Sequence, residues 1–264
     1  MLREFYVGAS GMSTFEKLMV NITNNVSNSK TVGYKSTRTE LENIFPQVLE
    51  KAIAKKESEA AGKPAGIELG AGVRIVSTPK DFRQGTIAVT NNEFDIAING
   101  EGFLSYKTAN GDVAYGRAGN LSRDSEGNLV DANGNILQPQ IVIPNNTQTV
   151  RIASDGNLFV TLNQETQERL VGQIQLAKFV NPSGLESIGG NLYKQTVASG
   201  EAVTGIPGQE NFGTISQYSL ESSNVDIIGE MMEMVITQRA FDIITKAIQS
   251  GENMLKSASD IARA

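Results

Sequence analysis

Five apolar residues spaced by seven close the chain: Ile227, Met234, Phe241, Ile248 and Leu255. Ile244 and Ala258 fall three residues beyond Phe241 and Leu255. A period of seven places a narrow apolar stripe along an α-helix. It predicts one helix from Asn224 to Ala262, about 38 residues and ~57 Å long at 1.5 Å per residue. Ser222, Ser223 and Asn224 offer N-caps, and Asp226 and Glu230 suit the positive end of the helix dipole. A helix this long with one stripe seeks another helix, not a spherical core.

A matching stripe opens the chain. Phe5, Met12, Met19 and Val26 recur every seven residues, and Gly8, Phe15 and Ile22 follow the first three by three. This predicts a partner helix of about 25 residues. Asn24, Asn25, Ser27, Asn28 and Ser29 then weaken it, because short polar side chains compete for the backbone, and Gly33 is expected to end it. The two ends can pair antiparallel or parallel. Met231, Val235, Ala247 and Met254 lie off the main stripe, leaving further apolar surface. Helices apolar on more than one face are assembly elements, and head-to-tail contacts that do not close build a helical filament. The candidate assembly interface is therefore Phe5, Met12, Phe15, Met19, Ile22, Val26, Ile227, Met231, Met234, Val235, Phe241, Ile244, Ile248 and Leu255. In an isolated chain these helices are expected to be poorly ordered, since packing supplies most helical stability.

Between the ends the code changes to period two. Phe94, Ile96 and Ile98 alternate with Asp95, Ala97 and Asn99; Val150 and Ile152, then Leu158, Val160 and Leu162, do the same, and residues 169–180 read as one alternating run. Asn110-Gly111, Glu126-Gly127, Asn133-Gly134, Asp155-Gly156 and Pro182-Ser183-Gly184 separate the runs as turns. Gly-Asn-Leu recurs at 119, 127, 156 and 190 as a turn leading into a strand. The fold class expected is α+β: paired terminal helices forming a coiled coil, an inserted all-β domain and an extended arm. The domains fall at 1–40 plus 218–264 (helical), 41–75 (arm) and 76–217 (β). In the arm, Leu49–Glu57 is helix-compatible, and Ala60–Gly66 reads as a flexible loop.

Catalytic chemistry finds little to work with. The chain has no Cys and no His, which removes thiolate zinc sites, Cys nucleophiles and imidazole-based triads. Ser27-Asn28-Ser29-Lys30 matches S-x-x-K but lacks its companion motifs. Asp124-x-Glu126-x-Asn128 and Asp131-x-Asn133-x-Asn135 resemble calcium loops, yet Ile136 stands where Gly is required, and hairpin turns explain these residues better. Asp81, Glu93, Asp95 and Glu101 form no defined carboxylate pair. No metal and no cofactor are expected. A net charge of −6 without a basic run argues against nucleic acid, and no stretch is apolar enough to cross a membrane. The N-terminus lacks an apolar secretory core, so no cleaved signal is expected.

Residues 23–35, TNNVSNSKTVGYK, resemble the Asn-Asn-x-x-Asn…Gly-Tyr-Lys signature of flagellar rod and hook proteins. Ser223-Asn224-Val225-Asp226, Met231–Val235 and Gln238-Arg239-Ala240-Phe241-Asp242 are similar to that family's C-terminal signature. Residues 94–103, 117–121 and 127–130 resemble its central motif. Residues 66–74 and 184–193 are also similar to rod members, and the length suits them better than the longer hook members. Two departures stand out: Val32 where many members carry Pro, and Phe241-Asp242 where Tyr-Glu is commoner. The motif residues carried over are Asn24, Asn25, Asn28, Gly33, Tyr34, Lys35, Asn224, Gln238 and Arg239.

The resemblance implies a structural subunit of the bacterial flagellar rod, in its distal part, with the proximal rod as the alternative. It implies export by the flagellar type III apparatus without a cleaved signal, and assembly in the basal body within the periplasm. Subunits would stack into a rigid helical tube that carries torque to the hook, with the terminal helices inside and the β domain outside. The implied partners are further copies of the chain, proximal rod proteins and hook protein, with ring bushing proteins as further candidates. Two other classes stand against it. A cell-wall hydrolase would need a catalytic constellation the residues do not offer, and a monomeric adhesin would have no use for long striped ends.

Overall fold

The structure is a computed structural model that describes residues 2–50, 66–163 and 167–263. It is α+β, with one long helix at each end and short antiparallel strands between. The chain divides into two compact units: residues 1–26, 37–79 and 227–264 form one, and 27–36 with 80–226 form the other.

In the first unit, helix α1 spans Leu2–Ser27 and helix α2 spans Ile227–Arg263, 26 and 37 residues long. Both ends differ from the sequence expectation for a physical reason. α1 stops at Ser27, six residues before Gly33, because a turn replaces the helix. There the Thr31 amide donates to the Asn28 carbonyl and its hydroxyl to Asn28 Oδ1. α2 starts at Ile227 rather than Asn224, whose side chain is spent on other backbone groups instead of capping.

The arm carries strands. Glu40–Asn43 pairs with Val73–Ser77, and Gln47–Glu50 pairs with Ile67–Leu69, so an outgoing and a returning segment form a β-ribbon. Of the helix-compatible run, Leu49 lies in a strand; residues 51–57, and 60–65 of the expected loop, lie outside the described residues. α1 seats the ribbon's base. Thr14 donates to the Val73 carbonyl and Asn21 to Thr39 Oγ1, at 3.4 and 2.6 Å. A side chain on Gly72 would begin 2.1 Å from Ser10 Oγ, so the ribbon's backbone approaches α1 as only Gly permits.

The second unit is the β-rich middle. Its main sheet has nine strands, and Thr147–Ile152, Asn157–Leu162 and Arg169–Gln173 form another of three. Inside it Ile96, Leu104, Leu137, Leu158, Val160, Ile174 and Leu176 are wholly buried. Each such residue contributes roughly 1.5–3 kcal/mol relative to exposure. Phe82, Phe103, Tyr115, Phe179 and Tyr193 pack edge to face in a second cluster.

The period-two reading holds at Val150 and Ile152 and at Leu158 and Val160, which are buried. It fails at Ile96–Asn99, where Ala97 is buried beside Ile96 and Ile98 because both faces are covered. The single run at 169–180 breaks into Arg169–Gln173 and Leu176–Lys178, which belong to different sheets.

Candidate functional site

The β-unit's share of the motifs gathers around one carboxylate. Gly33 donates its amide to the Glu221 carbonyl at 2.8 Å. It holds φ +67°, and a Cβ there would stand 2.7 Å from the Ala118 nitrogen, so conformation and space both require Gly. Tyr34 is buried with the Lys80 ammonium 5.3 Å from its ring centre. The Lys35 ammonium donates to Glu221 Oε1 at 2.6 Å and to the Arg83 carbonyl at 2.8 Å. Arg117 Nη1 lies 3.3 Å from the other Glu221 oxygen, and the Gly85 amide donates to Oε1 at 2.9 Å.

This ion cluster is cut off from water: Lys35 and Glu221 side chains are 0% exposed and Arg117 is 4% exposed. Burial pulls the Lys35 and Arg117 pKa values down, and the Glu221 charge opposes that pull. Two cations share one carboxylate, so Glu221 cannot be lost without leaving both uncompensated. Asn224 completes the tie: its Oδ1 accepts from the Ser36 amide, and its Nδ2 donates to the Asp81 and Arg83 carbonyls. Residues 33–36, 81–85, 117–118 and 221–224 are thereby stitched together.

Asn25 does the comparable work in the helical unit. Its Nδ2 donates to the Thr37 carbonyl and to Glu230 Oε1, both at 2.9 Å, and its Oδ1 accepts from the Thr37 amide at 3.0 Å. It is buried, so all these bonds are shielded from competing water. Asn28 forms the turn after α1, while Asn24, Gln238 and Arg239 are exposed.

The helical seam can be read residue by residue. A side chain added at Gly8 would begin 2.9 Å from Ile248, one at Gly11 3.1 Å from Ile244, and one at Gly251 3.7 Å from Phe5. With Asn25 beside Glu230, the numbering falls along α2 as it rises along α1, so the helices run antiparallel. Glycines let the backbones approach, and the isoleucines fill the space. Phe5, Met12, Phe15, Met19, Val26, Met234, Phe241, Ile244, Ile248 and Leu255 are half-buried and Ile22 is buried, whereas Ile227, Met231 and Val235 are exposed. The fourteen interface candidates thus split into a covered set and an uncovered set. The exposed set continues along α2 through Ile236, Ile243, Met254 and Ile261.

The remaining sequence candidates have local partners. Asp124 Oδ1 accepts from the Glu126 and Asn128 amides, and Asp131 Oδ1 from those of Asn133 and Asn135. These are turn-closing bonds. Asp81 pairs with Arg83, Glu101 pairs with Lys178, Asp95 accepts from Thr90 and Asn92, and Glu93 accepts from the Val150 amide. Among the described residues no cluster of acidic side chains could hold a metal, and no helix is long and apolar enough to cross a membrane. Sequence reading missed Glu221, Arg117 as an ion partner, and Thr37. Their partners sit 186, 104 and 12 residues away, and no local spacing signals that.

Comparison with known proteins places these features. Residues 97–160 match the model for the flagellar hook protein FlgE/F/G D1 domain, and 216–261 match the flagellar basal body rod FlgEFG protein C-terminal model. The chain is 38% identical to the flagellar basal-body rod protein FlgG of Caulobacter vibrioides, covering 96% of this chain and 97% of that one. It is 37% identical to the FlgG of Borreliella burgdorferi over the full length of both. The FlgG of Buchnera aphidicola from Acyrthosiphon pisum is also 37% identical, over 99% of this chain and all of its own.

Proposed function

Because the chain belongs to the flagellar basal-body rod and hook family, as a structural subunit rather than an enzyme, we propose that it builds the distal rod. The observation that carries this is full-length likeness to rod proteins combined with the uncovered stripe of α2. α1 covers one face of α2 and leaves Ile236 and Ile243, each 67% exposed, on another. Soluble chains keep such rows for partners. Further copies of the same chain cover the row, the antiparallel helices form a coiled coil that lines a helical tube, and the tube carries motor torque to the hook.

The helical unit is the assembly module, residues 27–36 with 80–226 are the β domain, and the arm at 41–75 locks neighbouring subunits. Its paired strands give the arm stiffness that a bare loop lacks. Proximal rod proteins, hook protein and ring bushing proteins are its neighbours. The subunit reaches the periplasmic rod by type III export.

Quantitative mass spectrometry on purified hook–basal bodies tests this. More copies of this chain than of any other rod component are expected. Few copies would move the chain to the proximal rod, and its absence would remove the rod assignment.

A further inference from the structure

In the β unit a cleft of about 660 Å³ opens beside the buried ion cluster. Phe82, Phe103 and Phe179 wall it, and Arg83, Arg117 and Lys178 bring positive charge against one lining carboxylate, Glu101. Arg117 reaches it with its Nε buried and without a hydrogen-bond partner, while its Nη1 shares Glu221 with Lys35. The other two cations are held only by surface pairs, Arg83 with Asp81 and Lys178 with Glu101. Exposed pairs are worth little and exchange readily.

The rim is apolar where a closed domain would be polar. Val180 is 89% exposed at the cleft edge. Val197 is fully exposed on a turn fastened to the same loop by Asn181, whose amide and side chain donate to the Ser199 and Ala198 carbonyls. Nothing in the proposed assembly through the terminal helices uses this surface.

We propose that this cleft is a second subunit–subunit contact, receiving a carboxylate side chain and its apolar neighbour from another copy of this chain. The inference rests on the reading of the chain as a polymer. Charge complementarity selects the occupant: the chain carries 29 acidic against 23 basic residues, so a second copy offers carboxylates in excess to a cationic cleft. The apolar rim and aromatic walls ask for an apolar side chain beside that carboxylate, which a protein segment supplies. Buried, under-compensated Arg117 gains a counter-charge when the site fills.

The absence of cysteine makes the test direct. Val180→Cys carries a photo-crosslinker in the purified full-length chain, alone and combined with Arg83→Glu and Lys178→Glu. Covalent oligomers are expected, mapping by mass spectrometry to an acid-bearing segment of the same sequence. Their yield should fall about tenfold in the charge-reversed background, because repulsion across an interface suppresses the encounter, while the near-ultraviolet circular dichroism stays unchanged. Equal yields in both backgrounds, or crosslinks within one chain only, overturn the proposal. A parallel label at Ile243→Cys on α2 separates the two readings. Oligomers from that position but none from Val180→Cys leave the polymer standing and remove the cleft contact. Oligomers from neither remove both.

Discussion

The β unit closes upon itself, and the helical unit does not. In the β unit, leucines and isoleucines from five strands reach zero exposure, and even its ion cluster is sealed. In the helical unit the fully buried side chains are few: Thr14, Ile22, Asn25 and Thr237 among the described residues of the helices, with the rest of the seam half-covered. Both obey the same hydrophobic rule. The difference is what completes the burial, since the β strands find partners within the chain and α2 keeps an apolar face exposed among the described residues. In the register set by Gly8 and Ile248, the last turns of α2, with exposed Ile261, have no α1 residue beside them. A unit whose core is closed by its own strands thus sits in the same chain as one that leaves an apolar helix face exposed.

The most damaging single change should be Glu221→Gln. It leaves Lys35 and Arg117 buried without their shared carboxylate, and breaking a buried pair costs about 3–5 kcal/mol. The loss should appear in the β unit, seen as an earlier tertiary transition in denaturant. A change of less than about 1 kcal/mol would mean that water reaches the cluster, and the β unit would no longer count as sealed.

Next is a matched pair. Leu158→Ala should cost about 2–5 kcal/mol, since that side chain is wholly buried. Leu255→Ala, half-covered near the end of α2, should cost less than about 1 kcal/mol in the monomer. Hydrogen exchange in dilute monomer should follow the same order, with α2 amides exchanging well before those of Asn157–Leu162. Equal protection in the two regions would show that the helices are complete without partners.

Alkali should also separate the regions. Burial raises the pKa of Tyr106 and Tyr193, both in the β unit, above the usual value of 10, and Tyr115 shifts the same way. The folded state keeps these protons after the unfolded chain has lost them. Their stabilisation is therefore complete below pH 10 and declines as pH rises past it, by about 1.4 kcal/mol per pH unit for each phenol. Lys35 works in the opposite direction up to 10.5, because its folded pKa is depressed by burial and the unfolded chain holds the proton longer. A net loss should thus emerge above pH 10.5. Tyr106→Phe gives up the 2.7 Å bond to the Ala118 carbonyl, about 1 kcal/mol at neutral pH, and should flatten the alkaline decline. An unchanged slope, followed with tyrosinate absorbance, would contradict phenol burial as the cause.

Legibility in the sequence followed the same division. Helix length and stripe were readable because a period of seven repeats locally, so α1 and α2 were placed within a few residues. Turns were readable too: Gly111, Gly127, Gly134 and Gly156 all hold positive φ where turn dipeptides announce them. What the spacing could not show was long-range. Lys35 belongs to a recognisable motif, but its partner Glu221 is an unremarkable acid 186 residues on. The arm read as a loop because its strands are only three to five residues long, and their pairing spans the intervening chain. Asn224 read as a cap, since an Asn before a helix usually is one; its actual partners come from elsewhere in the chain.

The smallest expected effect on stability is the one that bears most on function. Ile243 is 67% exposed on the uncovered face of α2, and Ile248 is half-covered against Gly8. Ile243→Asp should move monomer stability by no more than about 0.5 kcal/mol, as exposed substitutions do. In the assembled state the same carboxylate would be buried without a partner, which is strongly unfavourable. Copy number in hook–basal bodies should therefore collapse for a variant whose monomer melts like the parent. Ile248→Asp should instead weaken the monomer itself, because its charge enters a seam that already exists. If Ile243→Asp assembles at the parental level, the outer face of α2 is solvent-facing in the rod, and the arm or the β unit must carry the subunit contacts.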